Sequence, residues 1–276
     1  MTEKNRNLLV RVVSAAVLLP IVLYLLYRGG FWAAGLLGVA AAACAHEYLT
    51  ITLKQLSPVA WFTVAMAAVM PVLPVATPEH ATQLAVGLTG VVLFAGWTWH
   101  LVYSPLQDAP VRIAQLLTAF VYGSGGLTSL AAVRMLPEGG WWVVTALVIT
   151  WGNDTSAYFA GRFLGKHKMY PEVSPNKTWE GFAGGMVGAV AFLFVQRQFF
   201  FPELTVVDCF VLGILGSILG PVGDLSESML KRTYGVKDSG KIIPGHGGML
   251  DRIDALIFNA PLVLLYVEFA RELLLR

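Results

Sequence analysis

Hydrophobic residues run along the chain in long blocks, each close to the length that a helix needs to cross a bilayer. The blocks cover residues 8–27, 31–53, 59–76, 82–102, 111–133, 141–161, 181–200, 205–229 and 253–273. A hydrocarbon core about 30 Å thick requires about 20 apolar residues of α-helix. Pro-rich and Gly-rich turns separate the blocks. The pattern predicts an all-α, polytopic integral membrane protein with about nine transmembrane helices.

The composition agrees with a membrane protein and excludes several other classes. Of the 276 residues 56% are hydrophobic and 13% charged, against about 25% charged residues in soluble domains. The net charge of +2 is too small for a conventional nucleic-acid binder, so no nucleic-acid partner is expected. Cys44 and Cys209 lie far apart in apolar stretches, and we interpret both as buried small residues rather than a disulfide or a metal site.

The distribution of Lys and Arg predicts the orientation in the membrane. With the N-terminus in the cytoplasm, most of the 19 basic residues fall in cytoplasmic segments, among them Lys4 and Arg6. The outer segments contain only the following: Arg28, Arg134, Arg197, Arg271 and Arg276. This asymmetry follows the positive-inside rule, so we expect a cytoplasmic N-terminus and an odd number of spans. The first block lacks a convincing cleavage site and is interpreted as an uncleaved span.

The two halves of the chain differ in polarity. Residues 1–140 are nearly free of charge within the spans, whereas more than half of the 17 acidic residues lie between Asn153 and Asp254. We therefore expect an N-terminal transmembrane scaffold over 1–140 and a catalytic transmembrane region over 141–276. Glu47, beside His46, is the exception in the first half. Its carboxylate either extends to water at the interface or makes a polar contact with the site in the second half.

Polar motifs begin at the end of the sixth predicted span, where Asp154 lies within about two helical turns of the surface. A carboxylate at that depth is expected to be paired or to coordinate an ion. The Gly-rich loop after it is not a P-loop, because its glycine spacing is too short and His167 follows Lys166. Farther on, Ser174, Lys177 and Thr178 precede the seventh span. Thr178 is a candidate N-cap, and a helix N-terminus beside a lysine suits an anion.

The densest polar group is at the end of the eighth span. If this segment is helical, one face presents two carboxylates, a hydroxyl and an ammonium group, from Asp224, Glu227, Ser228 and Lys231. A loop rich in Gly, Lys and Asp follows, and its glycines permit positive φ and close approach to a ligand. Asp251 and Asp254 then begin the ninth helix one turn apart.

Carboxylates from two helices among lysines and arginines suit a site for Mg²⁺ and phosphate. Oxygen ligands hold the ion, and the basic groups neutralise the phosphates that the ion bridges. The alternative is a salt-bridged structural network, which would be the more ordinary explanation for any single acid in this set. His246 alone is more typical of a hydrogen-bonding loop histidine than of a ligand or base.

The run from residue 228 to 254 resembles the signature of the phosphatidate cytidylyltransferases, also called CDP-diglyceride synthases. The matching elements are Ser228-x-x-Lys231-Arg232, Lys237-Asp238, and Pro244-Gly245-His246-Gly247-Gly248-x-x-Asp251-Arg252-x-Asp254. The stretches around Asn153-Asp154 and Ser174–Gly181 are also similar to the family. The resemblance thus extends over roughly residues 150–260.

The resemblance implies that CTP and phosphatidic acid react to give CDP-diacylglycerol and pyrophosphate, with Mg²⁺ required and a homodimer formed. We expect Asp224 and Asp251 to be the principal metal ligands, with Glu227 and Asp254 auxiliary. Basic residues would bind the phosphates of CTP and of the lipid: Lys231, Arg232, Lys237, Lys241 and Arg252. Further substrate contacts are expected from these residues: Ser174, Lys177, Thr178, Ser228, His246, Gly247 and Gly248. The site would face the cytoplasmic leaflet.

Two other function classes remain open from the residues alone. Another membrane transferase acting on phosphate, such as a CDP-alcohol phosphotransferase or a prenyltransferase, would use paired Asp-rich motifs of different spacing. An ion-coupled transporter would place charges near the middle of the spans and break helices in both halves. The first half shows neither feature. A catalytically inactive relative is a third possibility.

Overall fold

A computed structural model describes residues 3–275 of the chain, with side chains described for 9–274. Lys4, Arg6 and Arg276, which contribute to the predicted charge asymmetry, lie outside the described side chains. The described chain is almost entirely helical, and it divides into two compact units. Unit 1 comprises residues up to Met135 together with Tyr234–Ile253, and unit 2 comprises Leu136–Thr233 together with the residues from Asp254 onward.

The N-terminal helices form unit 1. They are α1 (Glu3–Arg28), α2 (Gly30–Leu53), α3 (Pro58–Val69), α4 (Leu73–Ala76), α5 (Ala81–Tyr103) and α6 (Ala109–Met135). Their core is centred on Leu49, Leu116 and Phe120, which are at most 1% exposed. The third predicted span is interrupted between α3 and α4 by a 3₁₀ turn at Met70–Val72. Pro71 and Pro74 explain the interruption, because proline donates no backbone hydrogen bond.

Unit 2 contains the remaining helices and a short hairpin. Its elements are α7 (Gly139–Leu164), β1 (Lys168–Tyr170), β2 (Ser174–Thr178), α8 (Trp179–Phe199), α9 (Val206–Thr233), α10 (Leu250–Leu265) and α11 (Arg271–Leu275). Helix α10 begins in unit 1 and continues into unit 2 at Asp254. A π-helical turn over Tyr266–Ala270 joins α10 to α11.

Small residues allow α7 and α8 to pack closely. A Cβ atom added at Gly185 would collide with Asn153, and one added at Gly188 would collide with Ser156. Small side chains at helix contacts let backbones approach, which is the usual way that membrane helices associate. The interface therefore fixes the polar C-terminal half of α7 against the start of α8.

Every predicted span is helical in the structure, which confirms the all-α polytopic fold. Within the described residues, eight helical segments are long and apolar enough to cross a membrane. Helix α7 is not among the eight, because its second half contains Gly152, Asn153, Asp154 and Thr155. The antiparallel hairpin of β1 and β2 was not predicted, since its strands are short and carry Pro and Asn, which rarely occur in strands.

Candidate functional site

An open cleft of about 580 Å³ lies in unit 2 between α7, the hairpin and the polar end of α9. This volume is in the usual range for small-molecule sites, about 300–1,000 Å³. Its charged and hydroxyl-bearing lining includes Asp154, Arg162, Lys168, Ser174, Lys177 and Asp224. Three of these residues are cationic and two are anionic, so the cleft can bind both phosphate groups and a cation.

Lys177 and Asp224 form an ion pair within the cleft. The Nζ atom of Lys177, on β2, lies 2.8 Å from Oδ2 of Asp224, on α9. The same Nζ donates to the carbonyl oxygen of Pro221 at 3.4 Å. The hydroxyl of Ser228 donates to Oδ1 of Asp224 at 3.2 Å. Each Asp224 oxygen therefore has a partner of its own, and the predicted shared helix face of Asp224 and Ser228 is confirmed.

Thr178 begins α8 at the wall of the cleft. Its buried hydroxyl accepts a hydrogen bond from the backbone N–H of Gly181 at 3.1 Å, which confirms the predicted N-cap. The first turn of a helix leaves backbone N–H groups pointing outward, and these favour an anion. Ser174, Lys177 and Thr178 thus line one cleft, as the sequence led us to expect.

Three acidic side chains interact near the cleft: Asp154 of α7 and Asp224 of α9 line it, and Asp254 of α10 feels the charges of both. Asp254 is half-buried, and the negative charges of Asp224 and Asp154 both act on it, as does the positive charge of Lys177. Gly223 permits this arrangement, since a Cβ atom there would collide with the carbonyl oxygen of Asp254. A larger residue at 223 would force α9 and α10 apart. Asp154, whose role the sequence left open, belongs to this acidic group.

The donor atoms of this acidic group are of the type that binds Mg²⁺. Asp154, Asp224 and Asp254 offer carboxylate oxygens, the ligands that a hard cation prefers. Within the described part of the chain, no three His, Cys, Asp or Glu residues are placed to enclose a metal ion by themselves. Mg²⁺ is commonly held by one or two carboxylates and completed by substrate phosphates and water. The donor set therefore suits an ion that is bound together with a phosphate substrate.

Three other predicted residues of α9 make contacts outside the pair of Lys177 and Asp224. Glu227 is 2% exposed, and its Oε2 atom lies 2.5 Å from Nζ of Lys231. Arg232 donates from Nε to the carbonyl oxygen of Val173 at 3.3 Å. Glu227 and Lys231 thus form a buried ion pair one turn apart, and Arg232 ties α9 to the hairpin turn.

In unit 1, the loop before α10 folds around Asp251. The Oδ2 atom of Asp251 accepts hydrogen bonds from the backbone N–H of Ser239 at 3.0 Å and from that of Gly248 at 2.9 Å. The hydroxyl of Ser239 lies 2.8 Å from the same oxygen. Gly247 adopts φ 88° beside it, where an added Cβ would lie 2.9 Å from Oδ2. The predicted need for glycine in this loop is confirmed at Gly247.

Glu47 of α2 lies beneath this loop and is only 2% exposed. Its Oε1 atom accepts from the backbone N–H of Met249 at 2.9 Å, and its Oε2 atom accepts from that of Leu250 at 2.9 Å. The Ser239 hydroxyl is 3.1 Å from Oε2. Of the two interpretations of Glu47, extension to water at the interface is therefore wrong, because the carboxylate is buried and engaged by the loop. The alternative, a polar contact with the second half of the chain, is the one that the structure shows.

The rest of the predicted loop residues are more open. Nδ1 of His246 lies 3.0 Å from the hydroxyl of Ser14 on α1, so His246 acts here as a hydrogen-bonding loop histidine. Lys237, Lys241 and Arg252 are exposed. Their charged ends are accessible to a solute, as expected of phosphate-binding side chains.

The structure thus brings the predicted site residues together in two groups. In unit 2, Lys177 and Asp224 line the cleft, Ser228 bonds to Asp224, and the charge of Asp254 interacts with both cleft residues. In unit 1, Asp251 organises the loop. The joint binding of one metal ion by Asp224 and Asp251 stays a prediction. Sequence reasoning did not single out Ser239. Its place within the matched run of residues 228–254 was the one feature that could have indicated a role.

Comparison with known proteins agrees with this chemistry. The model of the Cytidylyltransferase family matches residues 9–270. A phosphatidate cytidylyltransferase from Staphylococcus haemolyticus is 33% identical over 254 residues, covering 92% of this chain and 96% of the relative. One from Staphylococcus aureus is 31% identical over 264 residues, with the same coverage. One from Bacillus subtilis is 46% identical over 120 residues, covering 44% of this chain and 45% of the relative.

The extent of these matches decides between the function classes that the residues left open. The family model covers both the bland first half and the polar second half of the chain, so the whole membrane fold is shared. This excludes a transporter and supports an enzyme that uses CTP as a nucleotidyltransferase. With its acidic and basic cleft, its matched signature and full-length relatives, the chain belongs to the cytidylyltransferase family.

Proposed function

We propose that this protein is a phosphatidate cytidylyltransferase that converts CTP and phosphatidic acid into CDP-diacylglycerol and pyrophosphate for phospholipid biosynthesis. The observation that carries the proposal is the pairing of Lys177 with Asp224 in a cleft that also contains Arg162 and Lys168. Relatives that carry this name and cover nearly the whole chain support the choice of substrates.

In the proposed reaction, an oxygen of the phosphatidate phosphate attacks the α-phosphorus of CTP. A new P–O bond forms there, and the bond from the α-phosphorus to the bridging oxygen breaks, so that pyrophosphate leaves with the electron pair. A phosphate monoester is already anionic at neutral pH, so the reaction needs no dedicated general base. It needs charge neutralisation and in-line positioning instead.

The cleft residues can supply both. Lys177, Arg162 and Lys168 would neutralise phosphate oxygens, and the N-terminal N–H groups of α8 would orient one of them. Ser228 holds the other oxygen of the Asp224 carboxylate, the one that Lys177 does not contact. Lys231, Arg232, Lys237, Lys241 and Arg252 are proposed as further phosphate contacts from their positions in the signature.

Mg²⁺ is the proposed cofactor, and Asp224 with Asp254 would hold it in unit 2. When bound, the ion would neutralise charge that develops on the transferred phosphate and on the leaving pyrophosphate. Asp251 and Glu227 are retained as proposed ligands from the signature alone.

We further propose that the enzyme lies in the cell inner membrane and acts on phosphatidic acid in the cytoplasmic leaflet as a homodimer. The basic asymmetry of the sequence supports the cytoplasmic side, and CTP is dissolved there. The dimer rests on the family resemblance.

A direct test uses the purified full chain in detergent micelles. CTP, phosphatidic acid and Mg²⁺ are supplied, and pyrophosphate release is measured with and without the lipid. We expect release only when the phosphatidic acid is present, and no release when diacylglycerol replaces it. Equal release without lipid would refute the proposed acceptor.

A further inference from the structure

We infer that Glu47 is a positioning residue that holds the signature loop and the first turn of α10 in their working conformation. The inference rests on the proposed function, because that function gives the loop and Asp251 their role. Glu47 lies on α2, about 190 residues before the loop that it contacts, and the sequence alone left open whether its carboxylate met water or the second half of the chain.

The contacts of Glu47 are those of a helix cap supplied from a distant part of the chain. Both of its carboxylate oxygens accept backbone N–H groups, from Met249 and Leu250 at the start of α10. These N–H groups have no partner within their own helix. A carboxylate at a helix N-terminus also interacts favourably with the helix dipole. Glu47 therefore fixes where α10 begins.

Ser239 links this cap to Asp251. Its hydroxyl lies within hydrogen-bonding distance of both carboxylates, 3.1 Å from Oε2 of Glu47 and 2.8 Å from Oδ2 of Asp251. The hydroxyl has a single proton to donate to these two acidic groups, and the Ser239 backbone N–H gives Asp251 a further donor. The position of the Asp251 carboxylate thus depends on a group that Glu47 also holds.

The loop is shaped to this buried carboxylate. A Cβ atom added at Gly240 would collide with Oε1 of Glu47, and one added at Gly248 would lie 2.6 Å from Oε2. The glycines of the signature are therefore needed partly because the loop backbone closes over Glu47. A second anchor on unit 1 is the hydrogen bond from Gln115 to the hydroxyl of Tyr234, at 3.0 Å, where the loop begins.

The test measures amide hydrogen exchange and kinetics of the full chain in detergent. Glu47→Gln replaces one carboxylate oxygen by an NH₂ group, which would face the backbone N–H donors of Met249 and Leu250. We expect exchange in a peptide covering 237–252 to rise about tenfold or more, while peptides of α5 stay unchanged. We expect kcat to fall about tenfold or more, with KM for CTP within about twofold of the wild-type value. Glu47→Asp, which keeps the charge, should recover part of both losses.

The matched control is Glu79→Gln, the same substitution at an exposed site of unit 1, which should leave exchange and kcat at wild-type values.

Should Glu47→Gln fail to fold, Ser239→Ala removes the shared hydroxyl without altering α2 and should loosen the same peptide. Wild-type exchange in both variants would overturn the inference, as would loosening spread evenly over α2 to α6. Absence of transfer by the wild-type enzyme would instead refute the proposed function, since the exchange result does not depend on activity.

Discussion

The Nζ atom of Lys177 lies 2.8 Å from Oδ2 of Asp224, which joins the β-hairpin to the polar end of α9. The two side chains are 23% and 37% exposed, so their charges remain accessible from the cleft. A carboxylate beside an ammonium group places a cation ligand and a phosphate ligand next to each other. This is the local chemistry that transfer of a nucleotidyl group requires.

Replacing Asp224 by Asn should reduce catalysis severely. The change removes the negative charge that faces Lys177 and that we propose to hold Mg²⁺, while keeping the size of the side chain. We expect kcat/KM to fall about 100-fold or more, measured as pyrophosphate release at saturating lipid. The control is Asp108→Asn, because Asp108 is an exposed residue whose carboxylate pairs with Arg112 at 3.6 Å on the surface. Wild-type activity in the Asp224 variant would refute its assignment to the site.

Lys177→Met should chiefly weaken nucleotide binding. The substitution retains the length of the side chain but removes the ammonium group that lines the cleft. We expect KM for CTP to rise about tenfold or more, measured by steady-state kinetics at varied CTP. Lys166→Met is a suitable comparison, since Lys166 is exposed on the neighbouring loop. An unchanged KM in the Lys177 variant would argue against CTP in this cleft.

Removing divalent cations should stop the reaction reversibly. We expect no product in excess EDTA and full recovery when Mg²⁺ is restored, because the acidic side chains near Asp224 repel phosphates unless a cation lies between them. In Asp254→Asn, the Mg²⁺ concentration that gives half-maximal rate should increase. Full activity in EDTA would contradict the metal-dependent mechanism.

Asp208 and Arg271 form a second polar cluster, and it should affect stability rather than catalysis. Asp208 is fully buried in the first turn of α9. It accepts a hydrogen bond from the hydroxyl of Tyr266 at 2.6 Å and lies 3.2 Å from Nε of Arg271. Arg271→Met should lower the free energy of unfolding by about 3–5 kcal/mol, because it leaves a buried charge uncompensated. The readout is thermal unfolding in detergent.

The double variant Asp208→Asn with Arg271→Met distinguishes a buried charge pair from simple packing. Because both charges are removed, it should be less destabilised than Arg271→Met alone. Additive losses would show that the ion pair contributes little and that the contact of Arg271 with the Trp142 ring, 5.1 Å away, matters more.

Much of the fold follows from the length of the hydrophobic blocks, because each block must form a helix to satisfy its backbone hydrogen bonds in lipid. The helix face of Asp224 and Ser228 and the cap at Thr178 were equally predictable, since both depend on spacings of three or four residues. The hairpin was not predictable, because its strands pair irregularly through residues that do not favour strands. A contact of Glu47 with the second half of the chain was one of two alternatives from the sequence. Its partners in the loop before α10 could not be predicted, because they lie about 190 residues away and no local pattern joins them.

Radiolabelled CTP shows directly whether the cytidylyl group is transferred to the lipid. The purified enzyme is incubated with phosphatidic acid, Mg²⁺ and CTP labelled with ³²P at the α-phosphate, and in parallel at the γ-phosphate. We expect α-label in the chloroform-soluble product and γ-label only in water-soluble pyrophosphate. Both labelled products should be lost in Asp224→Asn. Label from the γ-phosphate in the lipid, or none from the α-phosphate, would contradict the proposed reaction.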